Sequence, residues 1–279
     1  RMFSFIAVGS SVGGMVGSSE TAGLAEVLPT FSLLLIACIP LEIASWCALT
    51  LHRHFATGNV EVQGESERAI SGNAWTGMKT VFSSPYLLGI AGFIALMTFA
   101  STMLYFQQAN LVAEVFTDRG VRTAFFAKVD LAVNILTIFF QVYLTARMVK
   151  WLGVGITLAL IPAFTALGFL ALGLYPTLAV LVVVQVAYRA GRYGFTKPAR
   201  EILWTVLDRE AKYKSKPFLD AAVYRGGDLV SGWLYTGMAA VGLSIGAIAL
   251  VAAPVAGVWA FLGLGLGRRQ EDLASKNIS

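Results

Sequence analysis

Lys197–Asp228 reads KPAREILWTVLDREAKYKSKPFLDAAVYRGGD, and its reading decides the fold. Lys197, Arg200, Arg209, Lys212, Lys214 and Lys216 crowd one short polar loop. The chain then re-enters an apolar run and takes Asp220, Arg225 and Asp228 in with it. Lys and Arg beside an apolar span mark its cytoplasmic side. An ionisable side chain at the centre of a span costs about 2.5–3.5 kcal/mol, so it faces a cavity or a partner. A basic loop that feeds charges into an apolar helix points to a multi-spanning membrane protein with a charged interior, the pattern of a transporter.

The composition agrees. The 279 residues are 57% hydrophobic and 13% charged, with a mean hydropathy of +0.71, against about 25% charged residues in a soluble domain. A net charge of +5 would also suit a nucleic-acid polymer. The basic residues sit in loops between apolar runs, however, so they set topology and no such partner is expected. Cys38 and Cys47 are nine residues apart in one apolar run; at the helical rise they lie too far apart for a disulfide. His52 and His54 flank Arg53 with no third ligand nearby, so no metal site is expected. No H-E-x-x-H, phosphate-binding loop or dinucleotide fingerprint occurs, since Gly191-Arg192-Tyr193-Gly194 is too short. Neither an enzyme nor a cofactor is expected.

Spans need about 20 apolar residues. About eight are legible, near 3–19, 30–51, 86–111, 123–148, 154–175, 178–196, 218–240 and 244–266. The expected fold class is all-α, a polytopic helical bundle. Residues 1–52 form two helices and 53–84 a central loop with a surface helix. Residues 85–267 form a six-helix bundle and 268–279 a tail. In the central loop Trp75, Met78 and Phe82 recur at helical spacing, as on a helix lying at a membrane surface. One side of the bundle collects Arg1, Arg53, Arg68, Lys79, Arg147, Lys150, the basic loop, Arg268, Arg269 and Lys276. The other has Arg119 and Arg122 against Glu20, Glu26, Glu114 and Asp118. The first side, with the C-terminus, is expected to be cytoplasmic in a multi-pass protein of the cell membrane. Two spans, a long loop and six spans match helices five to twelve of a transporter built from two six-helix halves, so a longer protein is expected.

Helical projection at about 100° per residue groups the interior polar residues. In the fourth span Thr123, Asp130, Asn134, Thr137, Gln141 and Thr145 share one face. Asp220, Tyr224, Asp228, Ser231 and Tyr235 do so in the seventh, with Arg225 within reach of Asp228 at i, i+3. Such stripes serve as interhelical glue or as a substrate path. Lys128 lies opposite the Asp130 stripe and is expected to reach the interface. Asp130 is a candidate to exchange with Asp228 as partner of Arg225. In the sixth span Arg189 and Arg192 share a face with Gln185 and Thr196. Two readings stay open: a clamp for carboxylate or phosphate, or a gate paired with Glu201 or Asp220. Gly9, Gly13 and Gly17 form a small-residue ridge suited to close helix packing. Pro40, Pro162 and Pro254 fall inside spans.

The Lys197–Asp228 block resembles the signature of the ATP/ADP translocase family of nucleotide transporters. The matching elements are Pro198-Ala199-Arg200-Glu201, Thr205-Val206, Arg209-Glu210, Lys212-Tyr213-Lys214, Phe218, Asp220 and Arg225-Gly226-Gly227-Asp228. Weaker support comes from Ser84–Gly89, Tyr105–Gln108 and Arg1–Ile6. The resemblance implies a major-facilitator-like fold of twelve helices and nucleotide exchange. It also implies a functional acid in the fourth span, matched by Asp130, and a base in the seventh, matched by Arg225. The family uses a further acid in the helix matching Phe3–Gly17, where this sequence has none.

The expected function is secondary transport of a small organic anion such as ATP or ADP across a lipid bilayer. Asp130, Asn134, Gln141, Arg189, Arg192, Asp220, Arg225 and Asp228 are the candidates for binding or gating. Lys197, Arg200, Glu201, Arg209 and Lys212 belong to the cytoplasmic signature loop. A proton-coupled carrier of another solute and a non-transporting membrane scaffold are the alternatives.

Overall fold

The computed structural model describes residues 2–25, 27–56 and 74–276. The polar loop TGNVEVQGESER and the extreme C-terminus lie outside the described residues. Those described are helical almost throughout and contain no strand. In chain order the helices are α1 (Met2–Leu24), α2 (Thr30–Ala56), α3 (Ala74–Ser83), α4 (Pro85–Val115), α5 (Arg119–Phe139), α6 (Thr145–Leu174), α7 (Leu178–Gly191), α8 (Lys197–Leu203), α9 (Arg209–Phe218), α10 (Tyr224–Ala240) and α11 (Ile245–Lys276).

Side-chain caps start three of the long helices. Ser84 accepts from the Leu87 amide at 3.4 Å, with Pro85 in the first turn. Asp118 accepts from the Val121 amide at 2.9 Å, and Thr177 from that of Val180 at 3.4 Å. Each satisfies an amide that the first turn leaves without an intrahelical acceptor. The run from Arg119 to Leu174 is helical nearly end to end, and its corner is Gly153, at φ 76°. That conformation suits glycine, and it separates the two spans read from the sequence. Pro162 and Pro254 sit inside α6 and α11, which continue through them.

Among the described residues, four helices are long and apolar enough to cross a membrane: Phe31–Arg53, Pro85–Val115, Arg119–Leu174 and Ile245–Lys276. The count differs from the eight spans expected for identifiable reasons. Arg119–Leu174 holds two expected spans. α7 and α10 are short and carry the interior charges.

The core lies between α4, α6, α7 and α11. Trp259 is fully buried, with its ring 5.5 Å from that of Phe93 and 6.4 Å from that of Tyr188. α6 and α11 run antiparallel and touch through glycines at both ends, Gly155 against Gly267 and Gly173 against Gly246. Only residues without a Cβ permit such an approach.

α1 packs on α5, but not through the expected ridge. Nothing lies within 4 Å of a Cβ built on Gly9, Gly13 or Gly17. The contact face carries Gly14 instead: a Cβ there would sit 2.8 Å from Asn134 Oδ1. The helix has two glycine faces, and α5's polar stripe needs the one that leaves room for an amide. α2 is exposed along nearly its whole length.

Two polar segments fold into helices. The basic loop is helical: α8 and α9 fold within it, and α3 lies across α9 with Gly77 against the Lys214 carbonyl. Glu210 pairs with Lys214 one turn on, and that ammonium holds its carboxyl below the usual range. This i, i+4 pair supports the helix. The tail is helical as well, since α11 continues through Lys276. On α3, Val81 is buried while Trp75 and Phe82 are exposed.

Candidate functional site: a basic cleft at three helix junctions

Three π-helical turns interrupt the bundle: Phe140–Leu144 after α5, Arg192–Thr196 after α7 and Leu219–Val223 before α10. A π turn holds an extra residue, so the 100° count fails across it. The last two turns and their neighbours line a cleft of about 290 Å³. Arg192, Tyr193 and Thr196 come from the turn after α7, and Lys197 and Arg200 from α8. Asp220 comes from the turn before α10, Tyr224 and Arg225 from α10, and Met97 from α4. Four cations thus surround one carboxylate.

Arg192 is the anchor. Its guanidinium donates to Ser101 Oγ at 3.1 Å and to Tyr224 Oη at 2.7 Å. It lies 5.4 Å from the Tyr193 ring centroid and 5.7 Å from that of Tyr224, within cation–π range. Among the described residues no carboxylate pairs with it. Arg200 meets Asp220 at 3.3 Å, yet its Nε is buried without an acceptor. Thr196, 1% exposed, has a buried Oγ without a partner in the same wall. A buried polar group without a partner costs about 1–3 kcal/mol, so an oxyanion reaching these donors would recover that cost. Guanidinium groups give planar recognition of carboxylate or phosphate, and tyrosine faces suit an aromatic ring.

The remaining candidates are distributed around this cleft. Arg189 and Arg192 do not form a common clamp, and neither pairs with Glu201 or Asp220. Arg189 turns to Asp130 on α5, at 2.5 Å, while Arg192 turns toward α4 and α10. The two residues are one α-helical turn apart, and their side chains diverge to different neighbouring helices. Asn134 donates to the Asp130 carbonyl at 2.9 Å. Gln141 accepts from Ser11 at 3.4 Å and donates to the Tyr193 carbonyl at 3.5 Å. With Thr145, which donates to the Gly194 carbonyl at 2.7 Å, it ties the end of α5 to the turn after α7. Within the stripe Thr123 and Asn134 bond their own helix and the Thr137 hydroxyl is buried without a partner, while Asp130, Gln141 and Thr145 bond across to α7 and the turn after it.

The Arg225–Asp228 pair is not formed. Thr102 donates to Asp228 at 3.3 Å, and Arg225 is exposed in the cleft. Gly227 lies against Thr98, so α10 approaches α4 closely there and draws Asp228 with it. Asp130, held by Arg189, is likewise not the partner of Arg225. Glu201 bonds Lys216 at 2.6 Å. Arg209 lies 5.7 Å from the Tyr213 ring centroid, and neither it nor Lys212 lines the cleft.

Ser101, Thr102 and Tyr193 are cleft or near-cleft residues that sequence reasoning passed over. The adjacent hydroxyls of Ser101 and Thr102 inside an apolar span were the available signal. A larger groove, about 680 Å³, runs along α10 at Leu229, Trp233 and Met238. Its lining is apolar apart from the Trp233 indole N–H. No family model matches the chain, and no curated protein matches it.

Proposed function

We propose that the protein is a secondary transporter that carries an organic anion across the cell membrane by alternating access, in the manner of the ATP/ADP exchangers its Lys197–Asp228 block resembles. The observation that carries this reading is the cleft at the helix junctions. Arg192, Lys197, Arg200 and Arg225 face it, and the buried donors Thr196 Oγ and Arg200 Nε lack acceptors. A concentration of positive charge in a low-dielectric wall attracts anions and raises their local concentration. A nucleotide fits that chemistry, with phosphates on the arginines and a base against the Tyr193 or Tyr224 ring. The eight-span reading treats Gly153 as the turn between two crossings and counts α1, α7 and α10 as spans. Positive charge on the α3, α8 and α9 side makes that side, and the C-terminus, cytoplasmic.

The test is exchange in vesicles. Protein reconstituted with internal ATP should take up labelled ADP, and an imposed pH gradient should leave the rate unchanged. Uptake that follows the pH gradient would replace this reading with a proton-coupled carrier, for which the Asp130–Arg189 pair is the natural coupling element. Failure to move any nucleotide or other organic anion would leave the scaffold reading.

A further inference from the structure

Two ion pairs stand side by side on α8. Arg200 reaches Asp220 at 3.3 Å, and the next residue, Glu201, bonds Lys216 at 2.6 Å. Neighbours of opposite sign thus grip two residues one helical turn apart, also of opposite sign, where α9 passes into α10. One half of this grip lies in the cleft wall, because Arg200 and Asp220 both line it. Glu201 and Lys216 do not. Asp220 is also the one carboxylate among the lining residues, which are otherwise cationic, hydroxyl-bearing or apolar. The single negative charge in a cleft suited to anions therefore belongs to the protein, and it sits on an arginine an incoming anion would seek.

We propose that Asp220 is a built-in competitor for the transported anion: it holds Arg200 until the anion takes its place, and that exchange frees α8 from the turn leading into α10. The inference rests on the anion-cleft reading above. Carboxylate and phosphate are ligands of the same kind for a guanidinium. Two like charges at one cation repel, so one displaces the other. The competitor weakens binding, and in return occupancy is coupled to a movement. A ligand shifts a conformational equilibrium only by its differential affinity for the two states, and breaking the Arg200–Asp220 pair supplies that difference. The outer pair, Glu201–Lys216, is out of the anion's reach. It keeps the two segments attached, so the release is a hinge rather than an unfolding.

The experiment uses the full chain in detergent, inorganic triphosphate as the probe, and calorimetry at one fixed salt concentration. Asp220→Asn should bind triphosphate about tenfold tighter than the unsubstituted protein, a gain of about 1.4 kcal/mol. Glu201→Gln, which removes a charge outside the cleft, should stay near the unsubstituted affinity. Equal tightening in Asp220→Asn and Glu201→Gln would overturn the proposal in favour of unspecific electrostatics. Unchanged affinity in Asp220→Asn would overturn the competitor and leave the anion cleft standing. Absence of binding in the unsubstituted protein, or binding that Arg192→Gln leaves intact, would overturn both. A measurement that needs no substitution is hydrogen exchange. Triphosphate should speed exchange at 197–203 while slowing it along α7, whereas protection of both segments would count against the release.

Discussion

Arg189 and Arg192 lie three residues apart and serve different helices. Arg189 is held by Asp130 across the α5–α7 contact, and Arg192 is held by hydroxyls and tyrosine rings. Their substitutions should therefore separate. Arg192→Gln removes a charged donor from the cleft, and such a bond is worth about 1.5–3 kcal/mol. Anion affinity should fall by roughly 10- to 100-fold, read by calorimetry with triphosphate. Arg192→Lys should recover little of it, because an ammonium lacks the planar fork and the stacking surface. Retained affinity in Arg192→Gln would overturn the anion-cleft reading. Asp130→Asn acts differently. Its loss leaves the Arg189 guanidinium without its carboxylate inside a span, so stability should fall by about 1–3 kcal/mol, and triphosphate binding should stay unchanged. Thermal melting in detergent, followed by the same calorimetry, checks both halves.

At the scale of elements, glycine placement decides which helices touch. A Cβ on Gly267 would collide with the backbone of Gly155, where neither partner has a side chain that can move aside. Gly267→Ala should therefore separate α6 from α11 and cost about 2–3 kcal/mol, the usual scale of overpacking. Gly257 is on the same helix with nothing within 4 Å of its Cβ position. Gly257→Ala should be neutral or stabilise by up to about 1 kcal/mol, through helix propensity. Melting temperatures of the two variants provide the comparison. A Gly267→Ala protein as stable as Gly257→Ala would mean that the glycine contact does not hold the pair together.

For the whole molecule, the orientation claim rests on charge distribution between the two ends of the bundle. Ser215 is buried on α9 and bonded to the Ala211 carbonyl, which makes it unsuitable for labelling. Glu210 is exposed on α9. A cysteine introduced as Glu210→Cys, on a background with Cys38→Ser and Cys47→Ser, should resist an impermeant thiol reagent in intact cells. It should label once the cells are permeabilised. Labelling from outside would reverse the topology and with it the side on which the cleft opens.

The sequence by itself determined the class of molecule. Apolar runs of sufficient length and basic residues confined to certain connections are local properties, so periodicity and composition reveal them. It also identified Arg192, Arg200, Asp220 and Arg225 as candidates, because a charge in an apolar run is conspicuous wherever it lies. What it left undetermined was pairing. Projection at a constant angle placed Arg189 with Arg192 and Arg225 with Asp228; each pair lies on unbroken α-helix, yet its members turn to different surroundings, while the π turns disturb the count for Thr196 and Asp220. The choice between the two glycine faces of α1 was likewise out of reach, since both are equally small and only α5 distinguishes them. Tertiary structure decided these matters because a side chain's partner depends on the register and approach of a second helix, which no single stretch of chain encodes.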